Sequence, residues 1–468
     1  MIKAIVNDLS FLLYSVIWKI FFSIAKISLG FIKFFNAKKN IKFISDQLED
    51  RPYLRELTKH LLEIRQKYNQ CIIFYCSSAG EYEQARPIMD RLVLRPQTMI
   101  LVFFHSKSGM RYVHSRQDTN QPHFYFTLVP LTDAVWDWGW IFAVLRPQGT
   151  FFVRYEIWPG FLITAHHYSK TALVAASSQG EESRLRTYFK RKIFSFIDVV
   201  YCVSETDYLE FKNRYHARSE QLIQTGDPKY DRVHERANST TSQTTDRPLM
   251  NFLRNARCHF PNLRLFIGGS IYIEELPLIL DAFKKLPPTN EWLLILAPHH
   301  VDHDNVLHLM KKCKEMGLPP HLSSRLRDPR TYPDEDCVIL VDQMGFLAEI
   351  YALGHAAYVG GAYHAQIHNV LEPAIQGLSL SCGSRFNNSP EAENLVKQGL
   401  MTPIVDSTQL SKWWGSLDDK TLLHNRCRLE VHLKSMLGAS DRILEHWTPM
   451  NPMRLRSESS NETKNTYK

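Results

Sequence analysis

One carboxylate stands where chemistry is expected. Glu81 follows four small residues, Ser77, Ser78, Ala79 and Gly80, directly behind the apolar run 71–76. A charge at that turn can start a helix, where the helix dipole favours it by about 0.3–1 kcal/mol. It can also take a proton from a substrate that the small residues, Ser78 and Gly80 among them, leave room for. Comparable turns recur along the chain. Glu156 and Trp158 lie in 154–160, and Lys229 lies in 226–231. Ser270 closes Gly268-Gly269-Ser270, and His299 and His300 follow Pro298. Met344-Gly345 and Gly360-Gly361 are glycine turns, and the second leads to Asn369 and Glu372. Glycines at a strand end let main-chain N–H groups approach a phosphate. An acidic residue beyond them, such as Glu372, suits vicinal hydroxyls. Each turn also has a plain reading as a loop or a helix start.

The elements that position these turns alternate along the chain. Strands are expected at 71–76, 98–104, 123–128, 149–154, 171–176 and 199–203, with helical periodicity between them. The pattern restarts at 263–269, 292–298, 337–342, 356–361 and 378–383. Repeated βα units predict parallel sheets covered on both faces. In such sheets ligands bind outside the carboxyl ends of the strands, and several of the turns named above fall at such ends, with 226–231 closing the first half. The expected plan is α/β: a Rossmann-like domain over 41–235, a polar linker over 236–262 and a second Rossmann-like domain over 263–450. The tail 451–468 is polar and reads as disordered. Neither domain opens with G-x-G-x-x-G, which disfavours a dinucleotide enzyme.

A chain of 468 residues suits two domains, and 44% hydrophobic with 22% charged residues is a globular composition. The net charge of +8 favours anionic partners such as phosphates, acidic sugars or a membrane face. No nucleic-acid partner is expected. Eight cysteines without a CxxC pair read as buried thiols of a reducing compartment, and neither a metal site nor a cofactor is expected.

Residues 1–40 are different. The run 9–35 is apolar and long enough to span a bilayer, yet Lys19, Lys26 and Lys33 recur every seven residues on one stripe. That pattern predicts a membrane-associated helix lying in the plane of the interface, in preference to a spanning one. Lys38, Lys39 and Lys42 then place the rest of the chain on the cytoplasmic face.

Read together, the turns resemble a known family. SSAGE (77–81), YEIWPGFL (155–162), GDPKYD (226–231), GGS (268–270), VDQMGFL (341–347) and YVGGAYHAQIHNVLEPA (358–374) are similar, in order, to motifs of the 3-deoxy-D-manno-octulosonic acid (Kdo) transferases of lipopolysaccharide synthesis. The resemblance implies a GT-B fold, two Rossmann-like domains facing across a cleft, at the inner membrane. It implies an inverting, metal-independent transfer of Kdo from CMP-Kdo to a lipid A precursor in an anionic leaflet. Glu81 would be the catalytic base. Ser270, His299, His300, Met344, Gly345, Gly361, Asn369 and Glu372 would hold the donor, and Ser78, Gly80, Glu156, Trp158 and Lys229 would line the acceptor side.

The chain departs from the pattern at Ile271-Tyr272, where the family has Thr-His, and at His299, where it has Arg. It departs again at Gln366-Ile367, which replace Gly-Gly, at Phe346, which replaces Glu, and at Gln179, which replaces another Arg. A related transferase using another nucleotide sugar, or a homologue that binds precursors without turnover, are the alternative expectations.

Overall fold

The computed structural model describes residues 54–129, 133, 135–154, 157–178, 182–242, 248–287, 291–326, 338–345, 347–363 and 366–447. The expected N-terminal membrane helix, Glu156, Phe346, Gln179 and the tail from 451 lie outside the described residues. Among the described residues no helix is long and apolar enough to cross a membrane.

The first sheet has seven strands: β1 (Gln70–Cys76), β2 (Thr98–Phe104), β3 (Phe124–Leu128), β4 (Gly149–Val153), β5 (Lys170–Ala176), β6 (Val199–Cys202) and β7 (Leu222–Gln224). The second also has seven: β8 (Arg264–Ile271), β9 (Trp292–Pro298), β10 (Pro320–Leu322), β11 (Val338–Leu340), β12 (Ala356–Val359), β13 (Ser379–Gly383) and β14 (Met401–Ile404). Neighbouring strands pair parallel, for example Ile72 with Ile100 and Ala357 with Leu380. Runs such as Ile72-Ile73-Phe74 and Leu293-Leu294-Ile295 are buried on both faces, because helices cover each side.

Strand order decides where a ligand can sit. The first sheet runs β3-β2-β1-β4-β5-β6-β7 and the second β10-β11-β9-β8-β12-β13-β14. The order reverses between β1 and β4, and again between β8 and β12. At such switch points the connections leave the sheet on opposite faces and a crevice opens beyond the carboxyl ends. Glu81 follows β1 and Trp158 follows β4, whereas Ser270 lies at the irregular carboxyl end of β8 and Gly361 follows β12.

The two units are compact. In the first, one face packs Trp138, Phe142, Phe161 and Phe211 on the sheet, and the other packs Tyr82, Ile88, Val113 and Trp447. In the second, Phe266 stacks on Trp414 with ring centroids 3.5 Å apart.

Unit boundaries differ from the expected ones in two ways. The first unit ends at Arg232 and regains the chain from Leu437, so the last helix, Ala439–His446, belongs to it and not to the second domain. Asp231 fixes that helix start by accepting from the N–H groups of Gly438 and Ser440, both at 2.7 Å. Trp447 then packs on Phe151 at 4.5 Å. The stretch 236–262, expected as a linker, instead holds the end of the helix Pro228–Ser242 and all of Pro248–His259. The second of these buries Leu249, Leu253 and Ala256, an apolar stripe obscured by the polar run before it. The cysteine expectation also needs correction. Cys71, Cys76, Cys202, Cys313 and Cys382 are buried, and burial pushes the Cys71 thiol up to about 12. Cys258 and Cys427, however, are exposed on helices.

The C-terminal return yields a stability prediction. Trp447→Ala should destabilise the first unit by about 3–5 kcal/mol, the usual cost of deleting a buried large aromatic. Chemical denaturation of the full chain, followed by fluorescence and by circular dichroism, measures it.

Candidate functional site

At the first switch point the backbone itself creates the need for Glu81. The helix Ala79–Leu92 begins with four N–H groups that lack partners within the helix. Ser78 is its N-cap in extended conformation, and its hydroxyl accepts from the Glu81 N–H at 3.5 Å. The Glu81 carboxylate reaches back and accepts from the Ser77 N–H. Main chain and side chain thus hold the carboxylate in a fixed place at the end of β1, 9% exposed. Gly80 is exposed, and a Cβ built on it meets only the Ser78 hydroxyl, at 3.8 Å. The fold does not require glycine there, so the open space beside it is available to a ligand.

The strand ends next to Glu81 are bonded into one edge. Ser106 N–H donates to the Ser77 carbonyl at 3.2 Å, and His105 N–H to the Cys76 carbonyl at 3.2 Å. The His105 ring lies 4.7 Å from Trp158. Trp158 precedes the helix Pro159–Tyr168 but has no capping group of its own. Asp133 caps that helix instead, accepting from Gly160 N–H at 2.7 Å, Phe161 N–H at 2.9 Å and the Trp138 indole at 3.0 Å. A Cβ at Gly160 would lie 1.8 Å from the Asp133 carbonyl oxygen, so glycine is obligatory there. Asp133 is 1% exposed, and nothing in its sequence neighbourhood marks it.

Lys229 reaches the same edge through its neighbours. Asp227 accepts from Lys229 N–H at 2.8 Å and from the Gln84 amide at 2.6 Å. Arg232 forks onto Glu83 at 2.8 and 3.2 Å. The helix carrying Glu81 and the helix carrying Lys229 are therefore tied side chain to side chain. Arg154 and Ala175, at the ends of β4 and β5, have φ of 63° and 54°. Non-glycine residues held in the left-handed region cost of order 1–3 kcal/mol each, and such strain concentrates at functional sites.

At the second switch point the organiser is Glu275, which the sequence reading missed. It is fully buried. Its carboxylate accepts from Tyr272 N–H at 3.0 Å, Gly361 N–H at 3.0 Å and the Tyr358 hydroxyl at 3.2 Å. Burial first, then the Glu275 charge, pushes the Tyr358 phenol well above its ordinary range. The turn after β8 and the glycine turn after β12 are thereby clamped together. Ser270 has φ of 54°, and a Cβ on Gly360 would lie 2.4 Å from its carbonyl oxygen. Gly361 combines φ of 96° with a Cβ position 2.1 Å from the Gln366 carbonyl oxygen, so both conformation and space demand glycine.

The other expected donor residues fall at the same edge with differing surroundings. His299 and His300 follow β9; the His299 ring stacks on His368, and both His299 and His300 pack on Tyr272, the latter edge-on. Gly345 has φ of 92° with open space around it, and Met344 beside it is 75% exposed. The Asn369 side chain accepts from Leu371 N–H at 3.2 Å and so starts the helix Leu371–Ile375. Glu372 lies 3.6 Å from the Arg236 guanidinium and lines a small pocket with Val233, Ala348 and Ile375. Its carboxylate is thus already paired with a cation.

The chain is similar to known proteins in sequence and in fold. Residues 53–232 match the family model described as 3-deoxy-D-manno-octulosonic-acid transferase (kdotransferase). The chain is 24% identical over 340 residues to the 3-deoxy-D-manno-octulosonic acid transferase of Aquifex aeolicus, covering 72% of this chain and 82% of that protein. It is 20% identical over 376 residues to a probable mitochondrial enzyme of that name from Arabidopsis thaliana, covering 78% and 79%. In fold it is similar to the UDP-GlcNAc 2-epimerase of Neisseria meningitidis, with TM-score 0.54 and 11% identity, covering 80% of this chain and 99% of that one.

The clamp at the second switch point can be tested directly. Glu275→Ala leaves three buried donors without an acceptor, each worth about 1–3 kcal/mol. The variant should lose several kcal/mol in chemical denaturation, and Glu275→Gln, which keeps an acceptor, should lose less.

Proposed function

We propose that this chain, a distant member of the Kdo transferase family of GT-B glycosyltransferases, moves Kdo from CMP-Kdo to a hydroxyl of a lipid A precursor. One observation carries the reading: Glu81, within the matched region, is a carboxylate fixed at a strand's carboxyl end beside open space. In the reaction the acceptor hydroxyl oxygen attacks the anomeric carbon of Kdo while its proton passes to Glu81. The bond from that carbon to the phosphate oxygen breaks, and CMP leaves with the electron pair. Attack opposite the leaving group inverts the anomeric centre, and the base needs no metal for this step. Ser78, Gly80, Trp158 and Lys229 line the acceptor side. The donor side comprises Ser270, His299, His300, Gly345, Gly361 and Asn369.

The chemistry calls for a membrane. A lipid acceptor and CMP-Kdo meet only at the cytoplasmic leaflet, and the apolar, lysine-striped segment 9–35 suits anchorage there. The helix Arg184–Phe194 supports the same placement. Leu185, Tyr188 and Phe189 are 67%, 62% and 56% exposed, one and a half turns of apolar surface. Arg184, Arg186, Lys190, Arg191 and Lys192 surround them, and the helix has no acidic residue. Exposed aromatics ringed by cations match the boundary of an anionic leaflet.

Two experiments test these statements. Glu81→Gln should lower turnover with CMP-Kdo and a lipid A precursor by about 10²–10⁴-fold while donor affinity is kept. Unchanged turnover removes Glu81 as the base, and turnover only with a different nucleotide sugar replaces the donor. Replacing Leu185, Tyr188 and Phe189 together by serine should slow transfer to an acceptor in anionic vesicles and spare transfer to the same acceptor in detergent. Equal slowing in both argues that the helix does not meet the membrane.

A further inference from the structure

Four rings gather at the second switch point, two of them, Tyr272 and His368, with no task assigned so far. Tyr272 comes from the turn after β8, His299 and His300 from the end of β9, and His368 from the turn after β12. His299 and His368 stack with centroids 4.2 Å apart and planes 19° from parallel. His300 packs on His299 at 4.5 Å, and Tyr272 stacks on His368 at 5.5 Å. The backbone beneath is fixed, since His299 N–H donates to the Ile271 carbonyl at 3.0 Å and His368 N–H to the Gly360 carbonyl at 3.1 Å.

The cluster is at the surface edge, with Tyr272, His299 and His368 half-buried and His300 exposed. Three imidazoles bring ring nitrogens that need partners, and His368 Nε2 is buried without a hydrogen bond among the described residues. A desolvated polar atom of that kind costs about 1–3 kcal/mol unless something fills it. No carboxylate joins the cluster: among the described residues none of the three histidines forms an ion pair with an acid. Glu275, the buried acid nearest in the chain, turns its oxygens onto Tyr272 N–H, Gly361 N–H and the Tyr358 hydroxyl. A ligand oxygen can therefore serve as the acceptor for His368 Nε2. Ser270 and Gly361, the two left-handed residues beside the rings, open the backbone at the same place.

We propose that Tyr272, His299, His300 and His368 form the seat for the anionic group of the nucleotide ligand, and that the seat gains its positive charge by taking up a proton as the ligand binds. The inference rests on the nucleotide-sugar reading above and names the chemistry by which that site takes its ligand. Burial, then His299 and then His300, push His368 down to about 4. Burial, then His300, push His299 down as well. His299 and His368 are then neutral at neutral pH while the seat is empty. A phosphodiester or carboxylate placed against the rings favours the protonated form and raises these values. Between the empty-state and bound-state values a proton enters with the ligand, so affinity rises as pH falls. Below the empty-state values the seat is already charged and affinity levels off. An arginine at position 299 would give a charge independent of pH.

The test is calorimetric, on the full-length protein in detergent. The probe is cytidine 5′-methyl phosphate, a phosphodiester whose charge is constant around neutrality; its uridine counterpart is run beside it. Titrations in two buffers of different ionisation heat, from about pH 5.5 to about pH 8, count protons taken up. Uptake is expected, with affinity changing by up to about tenfold per pH unit for each coupled proton. His299→Asn and His368→Asn should each reduce the uptake, and His299→Arg should abolish the pH dependence while keeping affinity at the alkaline end. Binding of the cytidine diester with no proton uptake overturns the inference and leaves the donor reading intact. Uptake with the uridine diester alone keeps the inference and overturns cytidine as the base. Binding of neither overturns both.

Discussion

Main-chain N–H groups at the carboxyl edges of two parallel sheets must find acceptors, and buried acids supply them. Each strand there hands the chain to a helix whose first amides lack partners within it. Leaving such an amide buried and unpaired costs about 1–3 kcal/mol. Glu81 takes the Ser77 N–H, Asp133 those of Gly160 and Phe161, and Asp227 that of Lys229. Glu275 takes those of Tyr272 and Gly361; the half-buried Asp342 does the same for Ser324 at the surface. The same few carboxylates fix the turns that carry Glu81, Trp158, Lys229, Ser270 and Gly361.

This need removes the opposition between the two readings of Glu81. It serves the helix start and is held at the strand end by doing so. A base is effective only when its carboxylate is positioned before the substrate arrives, and the Ser77 contact provides that. The second unit separates the two tasks. Glu275 does the structural work, fully buried, while the surfaces left to a ligand are rings, glycine backbone and the hydroxyl of Ser270. Strain sits beside these groups in both units, at Arg154, Ala175 and Ser270. Tight packing around the clamps is what keeps those residues in an unfavourable backbone region.

Much of the strand plan was legible, because parallel strands covered on both faces must be apolar throughout. The eleven expected strands correspond to β1–β6, β8, β9 and β11–β13. Three short ones, β7, β10 and β14, were missed. They have three or four residues and partly polar sequence, and lie at or beside sheet margins where one-sided contact suffices. The helix Pro248–His259 escaped notice because the Ser/Thr-rich run before it dominated the composition. The return of Ala439–His446 to the first unit was illegible for a different reason. It depends on Asp231 and Phe151, more than two hundred residues away in the chain.

By itself the sequence determined the βα alternation, the positions of the turns and the identity of Glu81, since these follow from local periodicity and from residue types adjacent in the chain. Its motifs also pointed to the family whose model matches residues 53–232. Only the tertiary structure decided which turns share a switch point, because strand order is set by which strands pair and not by their succession. It revealed Asp133 and Glu275 as the acids that hold those turns. It also gathered His299, His300, His368 and Tyr272 into one stack. In sequence, His299 was a lost arginine and Tyr272 a departure from pattern. In the fold they are neighbours, since β8, β9 and β12 lie side by side and their ends converge on one place.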